Sequence, residues 1–261
     1  MLDLCTGTGC ISLLFQHILS RQIDTQALIL SEIHTLGVDV SPTAIQLAQH
    51  NHKLYMKSLS SETATSKSGS PWYIQSPSSS PSLSRISFLQ HDIFSSSLTT
   101  RTTRMGMFPI DILLSNPPYI SPTSYDHQTA RSVRKFEPKL ALVPPSSRSS
   151  PTSGSRSDSL EPDSLGDTFY PRLLELANET CAKIAAFEVS DEHQALRVTE
   201  LAKEQRLWEG IEVWRDVLGL GVEGGGLVEY RGEIPVRGSG HGRVVVCWRG
   251  DGGRWLGCSS V

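Results

Sequence analysis

The sequence predicts an α/β fold, a mainly parallel sheet with helices on both faces. Three observations predict it. A short apolar strand runs through a glycine turn into an apolar helical pattern at the very start of the chain. At Ser41-Pro42 the apolar period changes from about two to about 3.6. Strands and helical stretches then keep alternating as far as Trp248, and the right-handed crossover rule restricts how such units wind.

In order, Leu2 to Leu4 reads as a strand end, Thr6 to Gly9 as a small-residue turn, and Ile11, Leu14, Phe15 and Ile18 as one apolar helix face. Ile33 to Val40 is a second strand. Ser41 supplies a cap and Pro42 a first helical position for a helix over Thr43 to Leu54. Strands follow at Ile86 to Leu89 and at Ile110 to Leu114, with the polar segment Ser95 to Arg104 between them. A helix is expected over Thr168 to Cys181, a strand at Ile184 to Val189 and a helix over Glu192 to Arg206. Ile211 to Val217 is a strand, Leu218 to Gly226 a Gly-rich loop and Arg243 to Trp248 the last strand, so seven strands are expected. Residues 251–261 read as a tail.

Two stretches break this rhythm. Residues 57–84 and 144–166 are rich in Ser and Pro, too poor in apolar surface to order themselves, and are predicted to be disordered insertions. They explain why a chain of 261 residues is only 38% hydrophobic. No internal repeat is evident.

The formal net charge of −3 provides no basic field for a nucleic-acid backbone, which disfavours a nucleic-acid substrate. The five cysteines form no CxxC pair and no cluster with histidine, so no metal site is expected and a reducing compartment fits. No apolar run is long enough to cross a membrane. A strand that opens at residue 1 predicts a fragment whose preceding segment is missing, so the absence of a targeting signal is uninformative.

Candidate chemistry starts with Asp3-Leu4-Cys5-Thr6-Gly7-Thr8-Gly9. Gly7 and Gly9 permit a tight turn and close approach of a ligand to a helix N-terminus; the competing reading is a merely structural turn. Asp39, at the end of the second strand, can accept both hydroxyls of a ribose, or it can cap the following helix. Asp92, with Ile93 beside it, follows the third strand and can accept from an adenine amino group. Acids and a glycine turn at the carboxyl ends of three successive strands indicate a nucleoside crevice, with a dinucleotide and a methyl donor both open.

The most specific motif is Asn116-Pro117-Pro118-Tyr119, directly after the fourth strand. The two prolines fix the backbone and donate nothing, so the Asn116 side chain and the Pro117 carbonyl are held as acceptors for an NH2 group. An amide or aromatic amine nitrogen has a delocalised lone pair, and binding both its N–H groups orients that pair for attack. Tyr119 would pack on the planar group. The alternative is a Pro-Pro turn with an Asn cap.

These residues resemble the class I (Rossmann-like), seven-stranded S-adenosylmethionine-dependent methyltransferases, and among them the HemK-type protein glutamine N5-methyltransferases. The resemblance spans Met1 to about Arg249, and Ser115 to Ile120 is its most specific piece. It implies a catalytic domain over 1–250, lacking the helical N-terminal domain with which the family recognises its substrate. S-adenosylmethionine is the implied cofactor: Asp3, Thr6, Gly7 and Gly9 would lie along its methionine part, Asp39 at the ribose, and Asp92 and Ile93 at the adenine. Asn116, Pro117 and Tyr119 would act on the substrate amide, and Asn116 would also border the cofactor.

The NPPY signature is shared with N6-adenine methyltransferases, which leaves the acceptor open. Phe136-Glu137-Pro138-Lys139-Leu140-Ala141-Leu142, followed after the insertion by Asp167 to Leu174, is similar to the release-factor enzymes. Read without that likeness, Phe136 to Leu142 is a loop packed on the core. The resemblance implies a peptide chain release factor as partner, and a mitochondrial or cytoplasmic location. Cys5 stands where the family has glycine, and Ser190-Asp191 where it has another. An adenine-N6 enzyme and an inactive donor-binding fragment are the rival readings.

Overall fold

The structure, a computed structural model, describes residues 1–23, 33–65, 84–145, 166–218 and 228–257. Most of the two Ser/Pro-rich stretches and of the Gly-rich loop lies outside these residues. The chain forms two compact units, Met1–Leu98 and Thr99–Val261.

The first unit contains β1 (Leu2–Leu4), α1 (Cys10–Ile23), β2 (Ile33–Asp39), α2 (Pro42–Thr65) and β3 (Ser84–Gln90). Its strands lie in the order β3-β2-β1, every pair parallel, with Leu2 opposite Leu36 and Val38 opposite Leu89. Thr35 to Val38 is a continuous buried run, as expected of a strand covered on both faces. Leu2, Leu4, Leu36 and Val38 are fully buried, each contributing about 1.5–3 kcal/mol by removing its side chain from water. Ser41 caps α2 as expected, its Oγ accepting from Ala44 N at 3.3 Å. The helix extends beyond the predicted end to Thr65, so residues 57–65 are helical rather than part of an insertion.

The second unit contains β4 (Ile112–Ser115), α4 (Pro122–His127), α5 (Arg131–Phe136), a 3-10 turn at Lys139–Ala141, α6 (Phe169–Glu179), β5 (Ile184–Glu188), α7 (Glu192–Glu204), β6 (Gly210–Val217), β7 (Val228–Arg231), β8 (Ile234–Arg237), β9 (Ser239–Trp248) and α8 (Asp251–Trp255). A further helix, α3 (Leu98–Arg104), starts at the boundary of the units, inside the segment read as merely polar. The strand order is β4-β5-β9-β6-β8-β7; β4 and β5 are parallel, and β9 runs antiparallel to both of its neighbours.

All seven strands expected from the sequence are present, and β7 and β8 are additional. They form a hairpin around Gly232-Glu233, with Gly232 at φ 63°. Buried Glu212 on β6 joins this hairpin through a two-pronged ion pair with Arg237, Nε to Oε2 at 2.8 Å and Nη2 to Oε1 at 2.9 Å. The tail reading also changes, because residues 251–255 form α8 and Lys183 lies over the Trp255 ring at 4.6 Å.

The helix α6 buries Phe169, Tyr170, Leu173, Leu174, Leu176 and Ala177, a stripe at helical spacing. It ends with Cys181 in the left-handed region (φ 56°), Cys181 N bonding Asn178 O at 3.0 Å and Ala182 N bonding Ala177 O at 2.9 Å. That is a Schellman end with cysteine in the usual glycine position. Arg249 donates to the carbonyls of Ala177 and Ala182, at 3.1 and 2.8 Å, completing the end electrostatically.

Candidate functional site

The glycine turn is built by three constraints. Cys5, Gly7 and Gly9 all have positive φ, at 59°, 54° and 79°. A Cβ on Gly9 would come within 2.8 Å of Phe88 Cζ and 3.1 Å of Ala48 Cβ, so this glycine serves packing. A Cβ on Gly7 would meet nothing within 4 Å, so that glycine faces open space. Cys5 adopts the same unfavourable backbone region without glycine's freedom.

Asp3 is fully buried at the end of β1. Its Oδ2 accepts from Thr6 Oγ1 at 2.6 Å and Ser12 Oγ at 2.7 Å, while Oδ1 is buried with no hydrogen-bond partner. Burial pushes this carboxyl above its ordinary value despite the two hydroxyl donors.

Asp39 ends β2 and performs two tasks at once. Oδ2 accepts from Gly7 N at 2.9 Å, and Oδ1 accepts from Ser41 N at 2.8 Å. The carboxylate thus fastens the glycine turn to the end of β2, and the entry to α2 to the same point. Each oxygen keeps a further lone pair for a ligand hydroxyl. Asp92 lies just past β3, where His91 N donates to Asp39 O at 2.9 Å; its Oδ1 accepts from Phe94 N at 3.0 Å, and Ile93 is buried. These predicted residues therefore share one end of the sheet of the first unit.

Asn116, Pro117 and Tyr119 belong to the second unit and follow β4. Asn116 is exposed, Pro117 and Pro118 are buried, and Tyr119 is half-buried. Tyr119 Oη donates to Glu188 Oε1 at 3.3 Å across the carboxyl ends of β4 and β5. Burial, then the Glu188 charge, raises the Tyr119 hydroxyl above its ordinary value, and burial raises the Glu188 carboxyl too. The Tyr119 carbonyl accepts from Gln194 Nε2 at 3.3 Å. Gly166 (φ 80°) packs beneath it, for a Cβ there would lie 2.2 Å from that oxygen.

The segment Phe136 to Leu142 does not pack on the core as its bare sequence suggested. Phe136 is 77% exposed, and the segment is anchored through Ile120 N donating to Leu142 O at 2.9 Å. Asp167, at the start of the second resembling segment, is buried and paired with Arg197, Nε to Oδ2 at 2.5 Å and Nη2 to Oδ1 at 3.0 Å.

The sequence reading missed Glu188 and Gln194. A glutamine on the apolar stripe formed by Ala195, Val198 and Ala202 was the available signal for the second. No group of three or more His, Cys, Asp or Glu able to hold a metal occurs among the described residues. No helix among them is long and apolar enough to cross a membrane.

No protein-family model matches the chain. It is 33% identical over 144 residues to the Schizosaccharomyces pombe protein named "Probable MRF1 mitochondrial N(5)-glutamine methyltransferase mtq1", covering 55% of this chain and 35% of that one. It is 30% identical over 143 residues to the mitochondrial MRF1 N(5)-glutamine methyltransferase of Saccharomyces cerevisiae, and 30% identical over 145 residues to the release factor glutamine methyltransferase of Chlorobaculum tepidum, covering 54% and 56% of this chain. The matches span about a third of the length of these relatives, 32% and 35% for the last two. Among solved structures, the hMettl16 catalytic domain in complex with an RNA hairpin from the MAT2A 3'UTR aligns at a TM-score of 0.40 and 10% identity, over 95% of this chain and 62% of that one. A human methyltransferase 10 domain containing protein aligns at 0.40 and 9%, over 95% and 69%. Over about half its length this chain is therefore similar in sequence to proteins named as glutamine methyltransferases, two of them as MRF1 N(5)-glutamine methyltransferases and one as a release factor glutamine methyltransferase.

Proposed function

We propose that the chain is the catalytic part of an S-adenosylmethionine-dependent methyltransferase whose acceptor is the side-chain amide of a glutamine in a peptide chain release factor. The observation that carries this reading is Asn116, exposed at the end of β4 immediately before two buried prolines, in a chain whose relatives are named for that acceptor chemistry. The yeast relatives' names support a mitochondrial release factor and a mitochondrial location.

The residues of the first unit suit the donor. Asp3, buried beneath the turn, is assigned with it to the methionine part; the open side of Gly7 allows close approach, and Asp39 has lone pairs left for a ribose diol. Asp92 and Ile93 are assigned to the adenine, Thr6 and Gly9 to the shape of the turn. When bound, S-adenosylmethionine supplies a methyl group already activated on a sulfonium, so what remains for the protein is positioning. Asn116 Oδ1 and the Pro117 carbonyl accept the two amide N–H groups and turn the nitrogen lone pair outward. The Tyr119 ring, held by its hydroxyl on Glu188, lies along the planar amide.

A labelled-methyl transfer assay tests this with three acceptors: a release factor, its Gln-to-Ala variant and duplex DNA. Label confined to the release factor and lost with the glutamine supports the proposal. Label in DNA replaces it with the adenine-N6 reading, and donor binding without any transfer replaces it with an inactive fragment.

A further inference from the structure

We propose that Gln194 is a positioning residue of the loop Asn116–Tyr119, holding the Tyr119 carbonyl from the first turn of α7 and tying it to the segment that resumes at Gly166. The catalytic consequence rests on reading Asn116–Tyr119 as the acceptor loop; the structural one does not.

Gln194 is fully buried, and its amide hydrogen-bonds to three separate stretches of chain. Nε2 donates to Tyr119 O at 3.3 Å and to Asp167 Oδ1 at 2.8 Å. Oε1 accepts from Ser190 N at 2.8 Å and from Tyr170 Oη at 3.3 Å. Tyr170 Oη lies closer still to Glu188 O, at 2.9 Å, and Glu188 in turn holds the Tyr119 hydroxyl. The carbonyl and the ring of Tyr119 are therefore fixed from two directions, and both fixings converge on the ends of β5 and α7.

A polar amide on the apolar stripe of α7 costs free energy unless each bond is made, and a methionine would fill the same space without that demand. Core packing alone gives no reason for glutamine here. The backbone supplies one: Pro117 and Pro118 contribute no N–H by which the loop can be anchored, and the Tyr119 carbonyl offers an acceptor by which it can be held. Asp167 orients that donor, being itself locked on Arg197 by two bonds. Gly166 lets the resuming chain pass against the same carbonyl.

The test compares the full chain with Gln194→Met, which keeps the volume and removes the amide's hydrogen bonds, and with Tyr170→Phe, which removes only the hydroxyl. Amide hydrogen exchange at Ile120 reads the loop, with the amides of β1 to β3 as reference. Transfer to a release factor gives kcat and KM, and calorimetry gives donor affinity. The expected result for Gln194→Met is faster exchange at Ile120 against an unchanged reference, kcat lowered about tenfold or more, and donor affinity within twofold. Tyr170→Phe should give a smaller change of the same kind, and it decides the matter if Gln194→Met does not fold. Unchanged Ile120 exchange, or an unchanged kcat, in a folded variant overturns the proposal. If the unsubstituted chain transfers no methyl group, the acceptor reading fails by itself, and the exchange at Ile120 still decides whether Gln194 holds the loop.

Discussion

Gly7 donates its backbone N–H to Asp39 Oδ2 over 2.9 Å, joining a turn after β1 to the last residue of β2 across 32 positions of sequence. The carboxylate's other oxygen takes Ser41 N, so one side chain sets both the turn and the start of α2.

Replacing Asp39 with Asn puts an NH2 group opposite one of these N–H donors. The turn loosens, and an acceptor that the proposed ribose contact uses is lost. Affinity for S-adenosylmethionine should fall about tenfold or more, on the order of 1.5–3 kcal/mol for a hydrogen bond to a charged group, as read by calorimetry. An unchanged affinity would remove Asp39 from the donor site.

Gly9 and Gly7 should respond differently to alanine. At Gly9 the new methyl group meets Phe88 and Ala48 in a left-handed backbone, so strain and overpacking combine to roughly 2–4 kcal/mol. At Gly7 only the backbone term applies, about 1–2 kcal/mol, because nothing lies within 4 Å. Urea unfolding of G7A and G9A distinguishes the two; equal losses would contradict the packing role of Gly9.

The raised pKa of Asp3 makes stability pH-dependent. A carboxyl whose folded value exceeds its unfolded value, taken as 3.8, binds more protons in the folded chain between the two. Its contribution is fully present below 3.8 and is lost as pH rises through the folded value. Asp3→Asn cannot titrate, so the unsubstituted chain should lose stability relative to D3N across that window and then run parallel to it. Denaturant midpoints of both chains over the acidic range check this, and a constant gap would refute it.

The proposed role of Asn116 is to hold the acceptor amide. Asn116→Ala should lower methyl transfer on the order of 10²-fold, the usual effect of deleting one fixed polar contact to the reacting group. Donor affinity should stay within twofold in the same preparation. A large loss of donor binding would contradict the assigned role.

Much of this was legible in the sequence because it depends on local rules. The period change at Ser41-Pro42, the buried run of β2 and the apolar stripe of α6 follow from which side chains water excludes; β2 and α6 were found within a few residues of their observed ends, and α2 at its start. The end of α2 was misread because Ser-rich composition signals poor propensity, yet the helix continues through residues 57–65. The β7–β8 hairpin was missed because a two-residue turn at Gly232-Glu233 leaves little sequence in which to see it.

For the candidate site, the sequence by itself determined the residues with strong individual chemistry: the glycines of the turn, the acids at strand ends and the paired prolines that stiffen the loop after β4. Their types are dictated by backbone freedom, charge and missing N–H groups, which are properties of single residues. Only the tertiary structure decided that Asp3 keeps one unmatched oxygen, that Tyr119 rests on Glu188, 69 positions away, and that Gln194 reaches back 75 positions to the same residue's carbonyl. Those are outcomes of chain segments meeting in space, where a polar group is fixed by whichever partner burial leaves within about 3 Å, and no local pattern specifies that partner in advance.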